Sequence, residues 1–194
     1  MDPYVYPGTN VLKNLRDIRD LQSLSEFEGV MTARRVAQLE VKPLTGKFDS
    51  AHLKRIHGHI FQDVYPWAGA FRTVDIARPG QFYFAFVAQI VACLDNLFED
   101  LARERCLANL TTAEDFCRRA GHYMGELNAV HPFCDGNGRT QREFIRELAL
   151  KNGYRLHWSR ITRAAMGEAS HRSFQLGDNS GLAAVLRDAL EPGN

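Results

Sequence analysis

The amino-acid sequence predicts a mainly α-helical protein with one β-hairpin inserted near its middle. Apolar residues recur at helical spacing along most of the 194 residues, and only residues 70–86 alternate in the manner of strands. Apolar types make up 45% of the chain and charged types 24%, which are ordinary globular values and exclude a disordered or low-complexity protein. We therefore expect one domain over residues 1–194.

The first third of the chain predicts helices. Residues 11–40 carry apolar side chains in two helical sets, with a break near Gly29 or earlier. Asp49 or Ser50 can cap the next helix, which ends before Pro66.

Two extended segments follow. Residues 70–76 alternate and are rich in β-branched types, residues 78–80 (Arg-Pro-Gly) are typical of a turn, and residues 81–84 form a second strand candidate. A lone hairpin leaves an open edge, which is either a liability or a place to bind another chain.

The rest of the chain predicts further helices. Thr111 and Thr112, with acidic residues two to four positions later, are typical of a helix start with a capping box. Helices are predicted at 88–103, from Thr112 to Pro132, at 139–151, at 159–172 and at 181–190.

Charge, hydropathy and cysteine spacing exclude several classes of protein. A formal net charge of +1 argues against a general nucleic-acid coat, which needs many phosphate contacts. No apolar run reaches the ~18–20 residues that cross a bilayer, and the first residues do not resemble a signal peptide. Cys93, Cys106, Cys117 and Cys134 show neither metal-ligand nor disulfide spacing. We expect a cytoplasmic protein with free thiols, no membrane contact and no direct nucleic-acid contact.

The segment that carries chemistry is residues 131–142, with the sequence HPFCDGNGRTQR. It is a loop that opens onto a helix N-terminus, where unpaired backbone N–H groups and the helix dipole favour an anion. Gly136 and Gly138 allow the backbone to cradle a phosphate, and Arg139 and Arg142 share one helix face. Two guanidinium groups beside such a loop suit a polyphosphate.

Two further residues of the loop complete the interpretation. Asp135 adds a carboxylate to an anion site, which is reasonable if Mg²⁺ lies between it and the phosphates. His131 has a suitable pKa range for a general base acting on a hydroxyl. Each residue has a plain alternative: a structural histidine, a solvated arginine face, a simple turn. Their combination in twelve residues favours a phosphate-transfer site.

This segment resembles the signature of the Fic family, HPFx[D/E]GNGRxxR, at every fixed position. Residues 2–4 (Asp-Pro-Tyr), 67–69 (Trp-Ala-Gly), 71–76 and 120–128 also resemble Fic segments, so the likeness covers in effect the whole chain. It is greatest to bacterial Fic toxins and to the Fic domain of a Bartonella effector. The resemblance implies a Fic-type helical domain that transfers AMP from ATP to a hydroxyl of a target protein. It implies that His131 is the base, that Phe133 anchors the loop in the core and that Asp135 holds Mg²⁺.

The resemblance also implies the ATP-binding residues. Gly136, Asn137 and Gly138 hold the phosphates, Arg139 contacts the β-phosphate and Arg142 contacts the γ-phosphate. Asp135 belongs to this set through its metal ion. Family members of the kinase type carry Lys at position 138, so glycine there favours AMP transfer over phosphate transfer.

The hairpin at about 72–84 lies where the family has its flap, which pairs with an extended target segment by strand addition. Ile76, Ala77 and Arg78 are the predicted target-docking residues, and the adenine pocket is expected near the helix at 164–175.

Regulation is inferred from an absence. Family members are commonly inhibited by a helix with the pattern [S/T]xxxE[G/N], whose Glu pairs with the second motif arginine. Residues 23–29 come near this pattern, but their spacing is wrong. A small antitoxin that supplies the Glu to Arg142 is therefore expected, as in a toxin–antitoxin pair acting on the ATPase subunits of DNA gyrase and topoisomerase IV. The alternatives are a secreted effector that modifies a host protein, a kinase, and a non-catalytic nucleotide-binding module.

Overall fold

A computed structural model describes residues 2–77 and 83–191, and its helical content confirms the predicted fold class. Within these residues the helices are α1 (Leu21–Val41), α2 (Ser50–Phe61), α3 (Val87–Arg103), α4 (Ala113–Val130), α5 (Asn137–Lys151), α6 (Arg163–Leu176) and α7 (Ser180–Ala189). Short 3₁₀ turns lie at Arg105–Leu107 and Trp158–Arg160. None of these helices is both long enough and apolar enough to span a bilayer.

Side-chain caps explain where several helices begin. The Asp49 carboxylate accepts from His52 N–H at the start of α2. Thr112 accepts from Asp115 N–H at the start of α4, as the predicted capping box requires, while the Asp115 carboxylate accepts from the Thr112 hydroxyl rather than from its backbone N–H. Thr162 accepts from Ala165 N–H, so α6 begins four residues later than the sequence pattern indicated. Asn152 caps α5, and Gly153 follows in the left-handed region with φ 81°.

The expectation of two helices within residues 11–40 is wrong. The side chain of Asp20 accepts from Ser23 N–H and starts one unbroken helix, α1, which runs through Gly29. Residues before Asp20 are not helical, and Val5 pairs with Leu12 in an antiparallel bridge. Glycine inside a helix costs only about 1 kcal/mol relative to alanine, which is too little to break a helix of this length that packs on α2.

The helices α4 and α5 form the centre of the protein and position the motif loop between them. The helix α4 contacts α3, α5, α6 and α7, while α5 also packs on α2. Both helices bury most of their side chains, including Phe116, Leu127, Phe144 and Leu148. The loop that joins them is thus held at both ends by the apolar core.

The hairpin stays a prediction, because residues 78–82, including Arg78, lie outside the described residues. On its described flanks, Ala77 pairs with Tyr83 in an antiparallel bridge, and Phe84 N–H donates to the Ile76 carbonyl at 3.2 Å. The four cysteines lie in the described part of the chain, and all are free thiols, as predicted.

Candidate active site

The helix α4 ends at His131, which adopts a left-handed backbone conformation with φ 47° and ψ 61°. Such a conformation is uncommon for a residue other than glycine. Its N–H still donates to the Leu127 carbonyl at 3.0 Å, and Pro132 cannot continue the helix. The chain therefore turns sharply at the residue that the sequence identified as the base.

The imidazole of His131 is oriented by two contacts. Its Nδ1 lies 3.3 Å from the Asn128 carbonyl oxygen, which can only accept, so the hydrogen resides on Nδ1. In that tautomer Nε2 carries the lone pair, as a general base requires. The ring also stacks on Phe84, with 3.9 Å between centroids and 17° between planes. Because Phe84 is the last residue of the predicted flap, this stacking links the flap to the predicted base.

The motif loop is tied together by its own side chains. The Asn137 amide accepts from Phe133 N–H at 2.9 Å and donates to the Phe133 carbonyl at 2.8 Å. The ring of Phe133 is 1% exposed and lies in the core, where the resemblance places it. Because the side-chain amide of Asn137 is engaged within the loop, we expect its backbone N–H rather than its side chain to contact a phosphate.

His57 of α2 contacts the motif loop through a hydrogen bond and through ring stacking. Gly69 N–H donates to its Nδ1 at 2.8 Å, so Nε2 carries the hydrogen and donates to the Asp135 carbonyl at 3.1 Å. Its ring stacks on Phe133 with centroids 3.9 Å apart. Burial lowers the pKa of His57 to about 4, which keeps the ring neutral.

Gly136 begins α5 and allows the loop to approach α2. Its φ is 78°, and a Cβ there would lie 2.2 Å from a ring carbon of Phe61. Thr140 N–H is the first in the helix to find an acceptor, the Gly136 carbonyl. Among the described residues nothing accepts from the N–H groups of Asn137, Gly138 and Arg139, which form the expected anion-binding end of the helix.

The two motif arginines have different surroundings. The Arg139 guanidinium contacts Glu28 at 2.5 Å and lies 4.6 Å from the Phe61 ring centroid. Arg142 has neither an ion pair nor a hydrogen bond within residues 2–77 and 83–191. Burial, together with the like charge of Arg139, lowers the pKa of Arg142. A partly buried cation of this kind is best satisfied by an anion from outside the chain.

Asp135 is the only acidic residue of the motif, and its surroundings fit a hard cation. Its Oδ1 accepts from Gly136 N–H at 2.5 Å, while Oδ2 has no partner in the described part of the chain. The side chain is 46% exposed. Partial burial and the nearby charge of Glu28 raise the pKa of Asp135, and a bound cation would oppose that rise. One carboxylate with nucleotide oxygens and water is a usual ligand set for Mg²⁺.

A cavity of about 940 Å³ lies against His131 and the two motif arginines. Its wall contains His131, Gly138, Arg139 and Arg142 on one side. The opposite wall comes from α6 and the turn before it, through Trp158, Met166, Gly167 and Ser170. The volume suits a small-molecule ligand. Met166, Gly167 and Ser170 fall within residues 164–175, where the sequence predicted an adenine pocket, and that pocket stays a prediction.

Arg72, the first residue of the predicted flap, connects the flap to the motif loop. Its side chain is fully buried and donates from Nε to the His131 carbonyl at 2.9 Å. Other hydrogens of the same guanidinium reach the carbonyls of Val74, Ala85 and Val130. Its backbone N–H donates to the Pro132 carbonyl at 2.9 Å. A buried guanidinium thus fixes the backbone on both sides of the site.

Comparison with known proteins agrees with this geometry. Residues 47–149, which contain the motif loop and the helices that hold it, match the Fic/DOC family. The chain belongs to this family. It is 44% identical over 189 residues to the protein adenylyltransferase VbhT of Bartonella schoenbuchensis, covering 97% of this chain and 39% of that protein. It is 39% identical to the probable protein adenylyltransferase Fic of Salmonella typhimurium, covering 97% of this chain and 92% of the relative.

Solved structures show the same fold. The Bartonella tribocorum effector BepC with bound AMPPNP superimposes with a TM-score of 0.92 at 27% identity, covering 98% of this chain and 97% of that one. An N-terminal Fic domain from Bartonella quintana with bound ADP gives a TM-score of 0.93 at 30% identity, covering 98% and 95%. The predicted family and the predicted enzyme class, protein adenylyltransferase, are confirmed by these relatives.

Sequence reasoning missed several residues of this Fic site. His57, Glu28 and Arg72 received no role in the site. Each of the three contacts the motif from a distant part of the chain. For His57 the signal was present, since its four-residue spacing from Phe61 places both rings on one face of α2.

Proposed function

We propose that this Fic protein transfers AMP from ATP to a hydroxyl side chain of a target protein. The observation that carries the proposal is the shared cavity: His131, with its lone pair on Nε2, lines the same wall as Gly138, Arg139 and Arg142. A base and a polyphosphate site in one cavity are what attack on a nucleotide requires.

In the proposed step one proton is transferred, one bond to the α-phosphorus forms and another breaks. His131 Nε2 takes the hydrogen of the target hydroxyl while its oxygen attacks the α-phosphorus. The bond from the α-phosphorus to the bridging oxygen breaks, and pyrophosphate leaves with the electron pair. The N–H groups at the start of α5 and the two arginines bind the phosphates and offset the charge that develops. Asp135 would hold Mg²⁺, which supplies further charge neutralisation on the phosphates.

Labelled nucleotide tests this proposal. The protein is incubated with Mg²⁺, cell lysate and ATP labelled at either the α- or the γ-phosphate. We expect label on protein from the α-position only. The variant His131→Ala should lose labelling while ATP binding persists. A matched control is His157→Ala, because the His157 side chain is 45% exposed and has only a distant ion-pair contact with Glu191.

Two other outcomes would contradict the proposal. Label from the γ-position would indicate a kinase. Tight ATP binding without label on any protein would indicate a nucleotide-binding module.

We infer further that the protein is the toxin of a toxin–antitoxin pair. Arg142 has no anionic partner in the described part of the chain, which supports an inhibitory Glu supplied by a separate small protein. A synthetic helix with the pattern [S/T]xxxE[G/N] should inhibit labelling by the wild-type protein. Arg142→Ala should weaken both this inhibition and binding of the γ-phosphate. Equal inhibition of wild type and variant would contradict the role of Arg142.

The proposed targets are the ATPase subunits of DNA gyrase and topoisomerase IV. Purified subunits should accept α-label from the wild-type protein, and the flap substitution Ala77→Pro should reduce that transfer if docking occurs by strand addition. The likeness to Bartonella effectors, with 39% of VbhT covered, supports the alternative of a host target. Label on a eukaryotic protein, with none on either bacterial subunit, would favour that alternative.

A further inference from the structure

Glu28 of α1 contributes a carboxylate to the site although it lies more than a hundred residues before the motif. Its side chain is 13% exposed, and its Oε1 lies 2.5 Å from Arg139 Nη2. Its other oxygen, Oε2, accepts a hydrogen bond from the Tyr65 hydroxyl. Both oxygens of a largely buried carboxylate are therefore engaged, one by a motif arginine and one by a fixed aromatic residue.

A second α1 residue holds the same guanidinium. Thr32 is one helical turn beyond Glu28, is 3% exposed, and lies 3.2 Å from Arg139 Nη1 through its hydroxyl oxygen. That hydroxyl donates to the Glu28 carbonyl at 2.8 Å, which leaves its lone pairs for the guanidinium. With the Phe61 ring at 4.6 Å from Arg139, the guanidinium is held by a carboxylate, a hydroxyl and an aromatic face.

Tyr65 keeps this carboxylate in place. Its ring stacks on Trp67 with centroids 4.3 Å apart, and its side chain is buried in the core. The hydroxyl of a fixed ring restricts where Glu28 can lie. The contact from Glu28 to Arg139 is therefore directed by the core rather than by a mobile surface chain.

The held arginine still faces the cavity. Arg139 lines the same wall as His131 and Arg142 while its contacts with α1 are formed. An anion can therefore reach the guanidinium without displacing Glu28, because a guanidinium carries five N–H donors. Arginine side chains lose up to ~2 kcal/mol of rotamer freedom when they are ordered, so an arginine that is held in advance binds a ligand at lower cost.

These contacts differ from the inhibitory pairing described for the family, which involves the second motif arginine. Glu28 contacts the first, Arg139, and Arg142 has no described ion pair. We propose that Glu28, fixed by Tyr65, is a positioning residue that holds Arg139 ready for the β-phosphate of the nucleotide. The inference rests on the proposed function, together with the β-phosphate contact that the family resemblance implies for Arg139.

The test compares nucleotides that have and lack a β-phosphate. Affinities of the 194-residue protein for ATP, ADP and AMP are measured with Mg²⁺ by calorimetry. In Glu28→Gln we expect about tenfold weaker binding of ATP and ADP, the usual cost of losing one charge-assisted contact, with AMP binding unchanged. Tyr65→Phe should shift the ratio of ATP to AMP affinity in the same direction by a smaller factor. The control is Glu26→Gln, an exposed residue of α1 whose partner is Gln22.

The outcomes separate the competing roles of Glu28. Tighter ATP binding by Glu28→Gln would mean that Glu28 competes with the phosphate, and would overturn the inference. An equal loss for AMP and ATP would mean general distortion of the site, and would overturn it as well. The inference also requires that Glu28→Gln have no further effect in an Arg139→Ala background.

The same measurements separate this inference from the proposed function. A wild-type protein that binds ATP no more tightly than AMP would contradict the phosphate site itself and the inference with it. A wild-type preference for ATP that Glu28→Gln leaves intact would overturn the role of Glu28 alone.

Discussion

Gly136 and Gly138 lie two positions apart in the motif, and each lacks a side chain for a different reason. Gly136 combines a φ of 78° with direct contact to Phe61, so its requirement is structural. Gly138 has helical backbone geometry, and a Cβ there would meet only Arg142 Nη1, at 3.5 Å, on the cavity wall. We propose that glycine is required there because it lets a ligand approach the backbone.

Substitution by alanine separates these reasons. Gly136→Ala places a methyl group inside a ring and in a left-handed backbone, so we expect a loss of about 2–4 kcal/mol in the free energy of unfolding. The free energy of unfolding of Gly138→Ala should lie within about 0.5 kcal/mol of the wild-type value, but this variant should bind ATP more weakly. Urea unfolding and calorimetry measure both. The distinction fails if the two variants lose stability equally.

At the scale of elements, α1 differs most from its sequence prediction. Gly29 was expected near a break, yet it lies inside a continuous helix, exposed, with nothing within 4 Å of the position its Cβ would take. The helix persists because Asp20 caps it and because its inner face packs on α2. Since Glu28 and Thr32 share one face of α1, the continuity of this helix is what brings both to Arg139.

Gly29→Ala tests that continuity. Alanine fits the helical backbone at an exposed site and reduces the entropy of the unfolded chain, so we expect a gain of about 0.5–1 kcal/mol in unfolding free energy. Thermal or urea unfolding measures it. A loss of stability would show that the helix is interrupted at Gly29 in solution.

Arg72 connects the two flanks of the predicted flap with the end of α4. Arg72→Lys keeps the charge but cannot reach several carbonyls at once, since lysine carries one compact ammonium group. We expect a loss of about 2–4 kcal/mol in unfolding free energy, and a fall in α-label transfer at temperatures where the variant is fully folded. Unfolding curves and the labelling assay give the two readouts. Wild-type stability together with wild-type labelling would rule out the role assigned to Arg72.

At the scale of the whole molecule, buried ionisable groups make stability depend on pH. His57 is neutral in the folded protein, with its pKa lowered from 6.5 to about 4 by burial. Between these values the unfolded chain binds a proton that the folded protein does not, so stability falls as the pH falls through this window. The full loss in the free energy of unfolding is about 3 kcal/mol, because each unit of the difference between the two pKa values corresponds to ~1.4 kcal/mol.

Urea unfolding at pH 7.5, 6.5, 5.5 and 4.5 should show that decline as a fall in unfolding free energy. The variant His57→Gln, which can still donate and accept a hydrogen bond, should be less stable at pH 7.5 but should show a shallower dependence. An identical slope in the variant would mean that other groups set the pH dependence.

The sequence by itself determined the helical class, most helix boundaries to within a few residues, and the identity of the motif loop. These follow from local causes: apolar periodicity, caps such as Asp49 and Thr112, and the fixed order of residues 131–142. It also predicted that α5 begins at Arg139, whereas the helix begins at Asn137 because that amide binds back to Phe133. That small shift decides which backbone N–H groups are left without a helical acceptor at the N-terminus of α5.

Only the tertiary structure decided how the loop is supported. His57, Arg72 and Glu28 come from three separate segments of the chain. His57 contacts the Asp135 carbonyl, Arg72 contacts the His131 carbonyl, and Glu28 contacts the Arg139 guanidinium. Apart from the helix face that His57 shares with Phe61, no local sequence pattern predicts these contacts, because each depends on packing between elements distant in the chain. The motif supplies the chemistry of the site, and long-range packing of α1, α2 and the flap base sets its geometry.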